Sequence, residues 1–160
     1  MPDRRRHRGA HPADERLFDG DWLPALRRAV DELSWLLSRG YAEKSALKLV
    51  GDRHKLRERQ RVAVMRCACS DDARADRERR LIAPDQAADR PLRIDGYNVL
   101  ITVEAALAGG VLLLARDGCL RDMAGMHGSY RKVEETRDAV TLIGEALDAI
   151  GPAEVTWRSE

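Results

Sequence analysis

Two aspartates stand where short apolar runs end. Asp95 closes the run Leu92-Arg93-Ile94, and Asp117 lies one residue beyond the run Val111 to Ala115, with Arg116 between. Glu134 and Glu135 follow the loop that holds His127, Ser129, Tyr130 and Arg131. Carboxylates brought from separate segments to one edge suit a hard divalent cation, because Mg2+ and Mn2+ prefer oxygen ligands and keep several waters for a phosphate substrate. The expected metal ligands are Asp95, Asp117 and Glu134, and the expected catalytic set is Asp95, Asp117, Glu134 and Glu135. The chemistry of such a set is phosphodiester hydrolysis, with metal-bound water attacking phosphorus and the cation offsetting charge in the transition state. Each acid also has a plain structural use. Asp95 caps a following helix, Asp117 shapes a turn with Gly118, and Glu134 and Glu135 favour a helix N-terminus through its dipole.

The cations point to a polyanionic partner, RNA or DNA. Arg53, Lys55, Arg57, Arg59 and Arg61 crowd one short stretch opposed by Glu58 alone, and Arg116, Arg131 and Lys132 flank the acids as phosphate contacts. The overall net charge of +1 hides an asymmetry: residues 1–80 carry 20 Lys/Arg against 14 Asp/Glu, a net of +6, and residues 81–160 carry 8 against 13, a net of −5. A basic half suits nucleic acid and an acidic half suits a metal. The bland alternative for both is ordinary solvated surface. Cys67, Cys69 and Cys119 lack paired ligand spacing and read as buried or idle thiols, and the four histidines do not repeat the i, i+4 spacing of a helical metal site in company with a base. No run approaches the roughly 20 apolar residues of a membrane span, and the basic first dozen residues lack the core of a signal peptide. The expected location is therefore cytoplasmic, without membrane contact.

The elements that must position these groups fall into three stretches: a basic helical module over residues 1–69, a charged linker over 70–90, and an α/β domain over 91–160. The Arg-rich start reads as an extended arm. Asp21 and Pro24 open a helix whose apolar residues Trp22, Leu23, Leu26, Val30, Leu33, Leu36 and Leu37 recur at helical spacing until Gly40 stops it. Two shorter helices follow, about 42–50 and 55–69, separated by Gly51 with the outline of a helix-turn-helix. Residues 70–90 lack apolar periodicity, so any helix there would be polar all round. After Pro91 the pattern is β-α-β-α-β: strands near 92–95, 111–115 and 155–157, and helices near 97–108 and 130–150. In one sheet this requires parallel strands and right-handed crossovers, which place Asp95 and Asp117 at one edge.

The string Ile94-Asp95-Gly96-Tyr97-Asn98-Val99 resembles the first-strand motif of PIN-like nucleases, with Asn98 placed to orient Asp95. More widely, the chain resembles an uncharacterised prokaryotic family, domain-of-unknown-function family 434. The residues that carry it are Lys48-Leu49-Val50-Gly51-Asp52-Arg53 with Arg59-Gln60-Arg61, then His127-Gly128-Ser129-Tyr130-Arg131 and Glu134-Glu135-Thr136, spanning nearly all of residues 8–157. The resemblance implies a PIN-like α/β fold, a short parallel sheet with flanking helices, and acid-cluster metal chemistry on RNA or DNA. Relatives continue past the third strand with a further acidic residue, whereas this chain ends at Arg158-Ser159-Glu160, so the expectation is a C-terminally incomplete site with weak or no cleavage. Two functions therefore compete: a metal-dependent nuclease-like protein, and a non-catalytic nucleic-acid-binding or regulatory module with a degenerate acidic site. A phosphate-metabolite binder is disfavoured by the lack of a GxGxxG or P-loop.

Overall fold

The computed structural model describes residues 7–124 and 130–158, which form two compact units. One comprises residues 11–81 and 113–123, and the other residues 1–10, 82–112 and 124–160. Part of the second half of the chain thus folds with the helices, and residues 7–10 fold with the α/β residues.

The helical unit contains α1 (Asp14–Leu17), α2 (Leu23–Ser38), α3 (Glu43–Arg53), α4 (Glu58–Cys67) and α5 (Asp71–Arg80). Its core is Leu26, Ala29 and Leu33 of α2, Ala46 and Val50 of α3, Leu56, and Val64 of α4. Leu26, Leu33, Ala46, Val50, Leu56 and Val64 are inward positions of the sequence periodicity, which did not single out Ala29, and burying each large aliphatic side chain contributes about 1.5–3 kcal/mol. Gly51 does not end α3. It sits buried inside the helix because the Arg61 guanidinium packs where a side chain would be, 2.5 Å from an added Cβ. The segment expected as a linker is ordered: α5 is capped by Ser70, whose Oγ accepts from the Ala73 N–H at 3.2 Å, and buries no residue. Strands β2 (Leu112–Leu114) and β3 (Leu120–Asp122) pair as a two-stranded hairpin of their own.

The α/β unit contains β1 (Pro91–Asp95), α6 (Gly96–Leu107), α7 (Thr136–Ile150) and β4 (Glu154–Arg158). β1 and β4 pair in parallel, with Asp95 in register with Arg158 and Ile94 with Trp157. The three-stranded parallel sheet expected from the sequence is therefore two-stranded, because the 112–114 run pairs with 120–122. That run reads as a strand buried on both faces, but Leu114 is 72% exposed. The long helix expected from about residue 130 starts at Thr136, and Ala139 and Ile143 face the core while Val140 is exposed. Gly151 ends it in the left-handed conformation, φ 68°, which favours glycine. Among the described residues no helix is long and apolar enough to cross a membrane.

Candidate functional site

The C-terminal end of the β1–β4 pair opens into a cleft of about 410 Å3 lined by Arg93, Ile94, Asp95 and Arg158. Side chains two apart on a strand share a face, and register neighbours lie side by side. Arg93 and Asp95 on β1 and Arg158 on β4 are therefore presented together, all three exposed. The chain turns directly from Asp95 into α6, which requires Gly96: an added Cβ would lie 2.7 Å from the Trp157 ring and 2.9 Å from the Arg158 carbonyl oxygen. Asn98, one turn into α6, donates from Nδ2 to Asp95 Oδ2 at 2.6 Å, the orienting contact that the resemblance implied. Asp95 Oδ1 has no hydrogen bond among the described residues, and neither arginine has an ion-pair partner there. The cleft thus offers two guanidinium forks and one oriented carboxylate oxygen, a set that fits a phosphate with a neighbouring donor group.

The other predicted acids are used elsewhere. Asp117 lies in the β2–β3 turn of the helical unit and not on the sheet that carries Asp95. Its side chain is 1% exposed and receives Arg121 Nη1 and Nη2 at 2.8 and 2.6 Å, Arg77 Nη1 at 2.8 Å, and the Cys119 N–H at 3.1 Å. The Arg121 hydrogen bonds, helped by the Cys119 N–H and the charge of Arg77, hold its carboxyl far below the usual value. Glu135 is the residue before α7, and its Oε1 meets His7 Nδ1 at 2.5 Å. Burial raises its pKa, but the His7 hydrogen bond together with backbone N–H donors outweighs that and the net direction is down. Glu134 is solvent-facing, 3.6 Å from His7 Nε2. Both Asp117 oxygens accept from guanidinium donors of its own unit, whereas Asp95 and Glu134 belong to the α/β unit. Among the described residues, no three His, Cys, Asp or Glu side chains are grouped to hold a metal. His127 and Ser129, expected at this edge, lie outside the described residues.

The basic set divides in the same way. Arg59 forms a two-pronged pair with buried Asp14, Arg61 binds Asp52 at 2.8 Å and the Leu56 carbonyl at 3.0 Å, and Arg116 binds Asp71 at 2.5 Å and the Cys69 carbonyl at 2.8 Å. These three are engaged in contacts within the helical unit. Arg53 lies 3.4 Å from Glu32 as an exposed pair. Lys55 and Arg57 are exposed between α3 and α4 without an ion pair among the described residues, and Arg131 and Lys132 are exposed ahead of α7.

Sequence reading missed the most deeply buried acid among the described residues. Glu104 of α6 is fully buried, and its Oε1 accepts from Tyr130 Oη at 2.6 Å and Thr136 Oγ1 at 2.5 Å while its Oε2 receives Arg8 Nε. A signal existed. Glu104 is the only acid in the apolar helix Gly96–Leu107, one position from the inward-facing Ala105 and one turn from Ile101.

Residues 84–159 match a family described as a domain of unknown function (DUF5616), and residues 25–80 match one described as a protein of unknown function (DUF434). An uncharacterized protein of Methanocaldococcus jannaschii is 30% identical over 123 residues, which cover 77% of this chain and 59% of that protein. The chain thus spans about three fifths of the curated relative it matches. No solved structure matches.

Proposed function

We propose that this protein is a nucleic-acid-binding module with a PIN-like sheet edge, which grips the phosphodiester backbone of RNA or DNA and whose acidic site is degenerate. The observation that carries this reading is the cleft at the end of β1 and β4, where Arg93 and Arg158 stand beside Asp95 without an ion pair among the described residues. The arginines supply charge and forked donors for phosphate, and Asp95, oriented by Asn98, accepts from a sugar or base donor next to it. Lys55, Arg57, Arg131 and Lys132 supply further exposed cations for phosphate contacts. Hydrolysis is not part of the proposal. Of the four predicted catalytic acids, Asp117 is paired with Arg77 and Arg121 and Glu135 is hydrogen-bonded to His7, and an attacking water misplaced by about 1 Å costs around 100-fold in rate.

The test is fluorescence anisotropy with labelled single-stranded RNA and duplex DNA over a salt series, with cleavage followed on the same oligonucleotides with and without Mg2+ or Mn2+. Binding to either should weaken steeply with salt, and R93E/R158E should weaken it at least 10-fold and flatten the salt slope. Unchanged affinity in that variant would remove the cleft from the binding surface. Robust Mg2+- or Mn2+-dependent cleavage, abolished in D95N, would replace this reading with a metal-dependent nuclease acting through Asp95.

A further inference from the structure

The surroundings of Glu104 are built to receive a guanidinium. Tyr130 and Thr136 hold one carboxylate oxygen, which leaves Oε2 for a cation. Arg8 fills that position with Nε, and its Nη2 donates to the Arg131 carbonyl at 2.7 Å. Its guanidinium carbon lies over the Tyr130 ring at 5.1 Å from the centroid, and Tyr97 stacks on that ring at 4.8 Å with 20° between the planes. A carboxylate, a carbonyl and an aromatic face around one planar cation select a guanidinium over an ammonium, which has no second donor in the plane and no plane to stack. The backbone is seated too. An added Cβ at Gly9 would lie 2.7 Å from the Ala108 carbonyl oxygen, and one at Gly110 would lie 3.1 Å from that of Arg8.

We infer that the pocket formed by Glu104, Tyr130, Thr136 and the Arg131 carbonyl is a guanidinium-binding site, which the chain fills with Arg8 of its own N-terminal arm. The ligand class is an arginine side chain, and the close approach at Gly9 makes the preferred peptide an arginine followed by glycine. Arg8 thereby becomes an internal ligand whose departure leaves a buried carboxylate without its counter-ion.

Chemical rescue of full-length R8A tests this. R8A should melt about 10 °C below the parent, since breaking a buried pair is strongly destabilising. Millimolar ethylguanidinium should then raise the Tm of R8A by several degrees, and ethylammonium by much less. Neither should move the parent or R8A/E104Q. If R8A does not accumulate in folded form, the same two cations are compared for the yield of R8A refolded from urea, where ethylguanidinium should give at least threefold more. Equal rescue by ethylammonium would reduce the pocket to plain charge compensation and overturn the proposal. Rescue that persists in R8A/E104Q, or no rescue at all, would overturn it as well.

Discussion

Asp117 accepts four hydrogen bonds from Arg121, Arg77 and the Cys119 N–H with its side chain 1% exposed, so its charge is spent on holding the β2–β3 turn. Asp117→Asn keeps the shape but leaves two guanidiniums short of a counter-charge, and should cost about 3 kcal/mol in urea unfolding at neutral pH. The pH dependence follows from the same contacts. The folded carboxyl lies below its reference value of 3.8, so its contribution is full above pH 3.8 and is lost as pH falls further. Asp14 behaves alike: burial raises its pKa, but the Arg59 hydrogen bonds and the His11 N–H bring the net direction down. D117N should therefore flatten the acid limb of the stability curve below about pH 4, and an unchanged limb would show that the pairing does not stabilise the fold. Asp95 was legible because the strand, the turn and Asn98 are all local. The fate of Asp117 was only partly so: Cys119 and Arg121 lie two and four residues away, but Arg77 lies 40 residues away and no local pattern announces it.

At the scale of elements, the junction of β1, α6 and β4 depends on one residue without a side chain. Gly96→Ala places a methyl group against both the Trp157 ring and the Arg158 carbonyl, and a backbone oxygen cannot swing aside as a side chain can. We expect a loss of about 1–3 kcal/mol, reduced by the better helix propensity of alanine, together with weaker nucleic-acid binding as Arg158 shifts. Urea unfolding and anisotropy on the same sample check both; parent-like values in each would mean the junction relaxes freely. Helices α2, α3 and α4 were readable from apolar spacing, because a helix that buries one face against its neighbours writes that face into the sequence. The hairpin was misread for the converse reason. Five consecutive apolar residues signal a strand but carry no alternation to say which face is covered, so a central parallel strand and an exposed hairpin arm look the same.

At the scale of the molecule, the division drawn by charge along the chain is not the division made by folding. Counted by compact unit, the helical residues 11–81 and 113–123 hold 18 Lys/Arg against 15 Asp/Glu, net +3, and the described residues of the α/β unit hold 7 against 10, net −3. Arg8, counted with the basic half along the chain, belongs with the acidic unit. It is the counter-ion of Glu104, while the hairpin gives the helical unit Asp117 for Arg77 and Arg116 for Asp71. A cut between residues 81 and 82, at the seam where the two family matches meet, therefore damages both units. Fragment 1–81 loses the hairpin and leaves Arg77 and Asp71 without those partners, and fragment 82–160 loses Arg8 and leaves Glu104 buried without its cation. Each fragment should unfold at lower urea than the intact chain, with 82–160 the weaker because its uncompensated charge is fully buried. Mixing the two should recover cooperative unfolding in part, as each supplies the segment that the other lacks. Circular dichroism during urea titration of each fragment, of the mixture and of the intact chain measures this, and two fragments as stable as the whole would mean that the exchanged segments contribute nothing to folding.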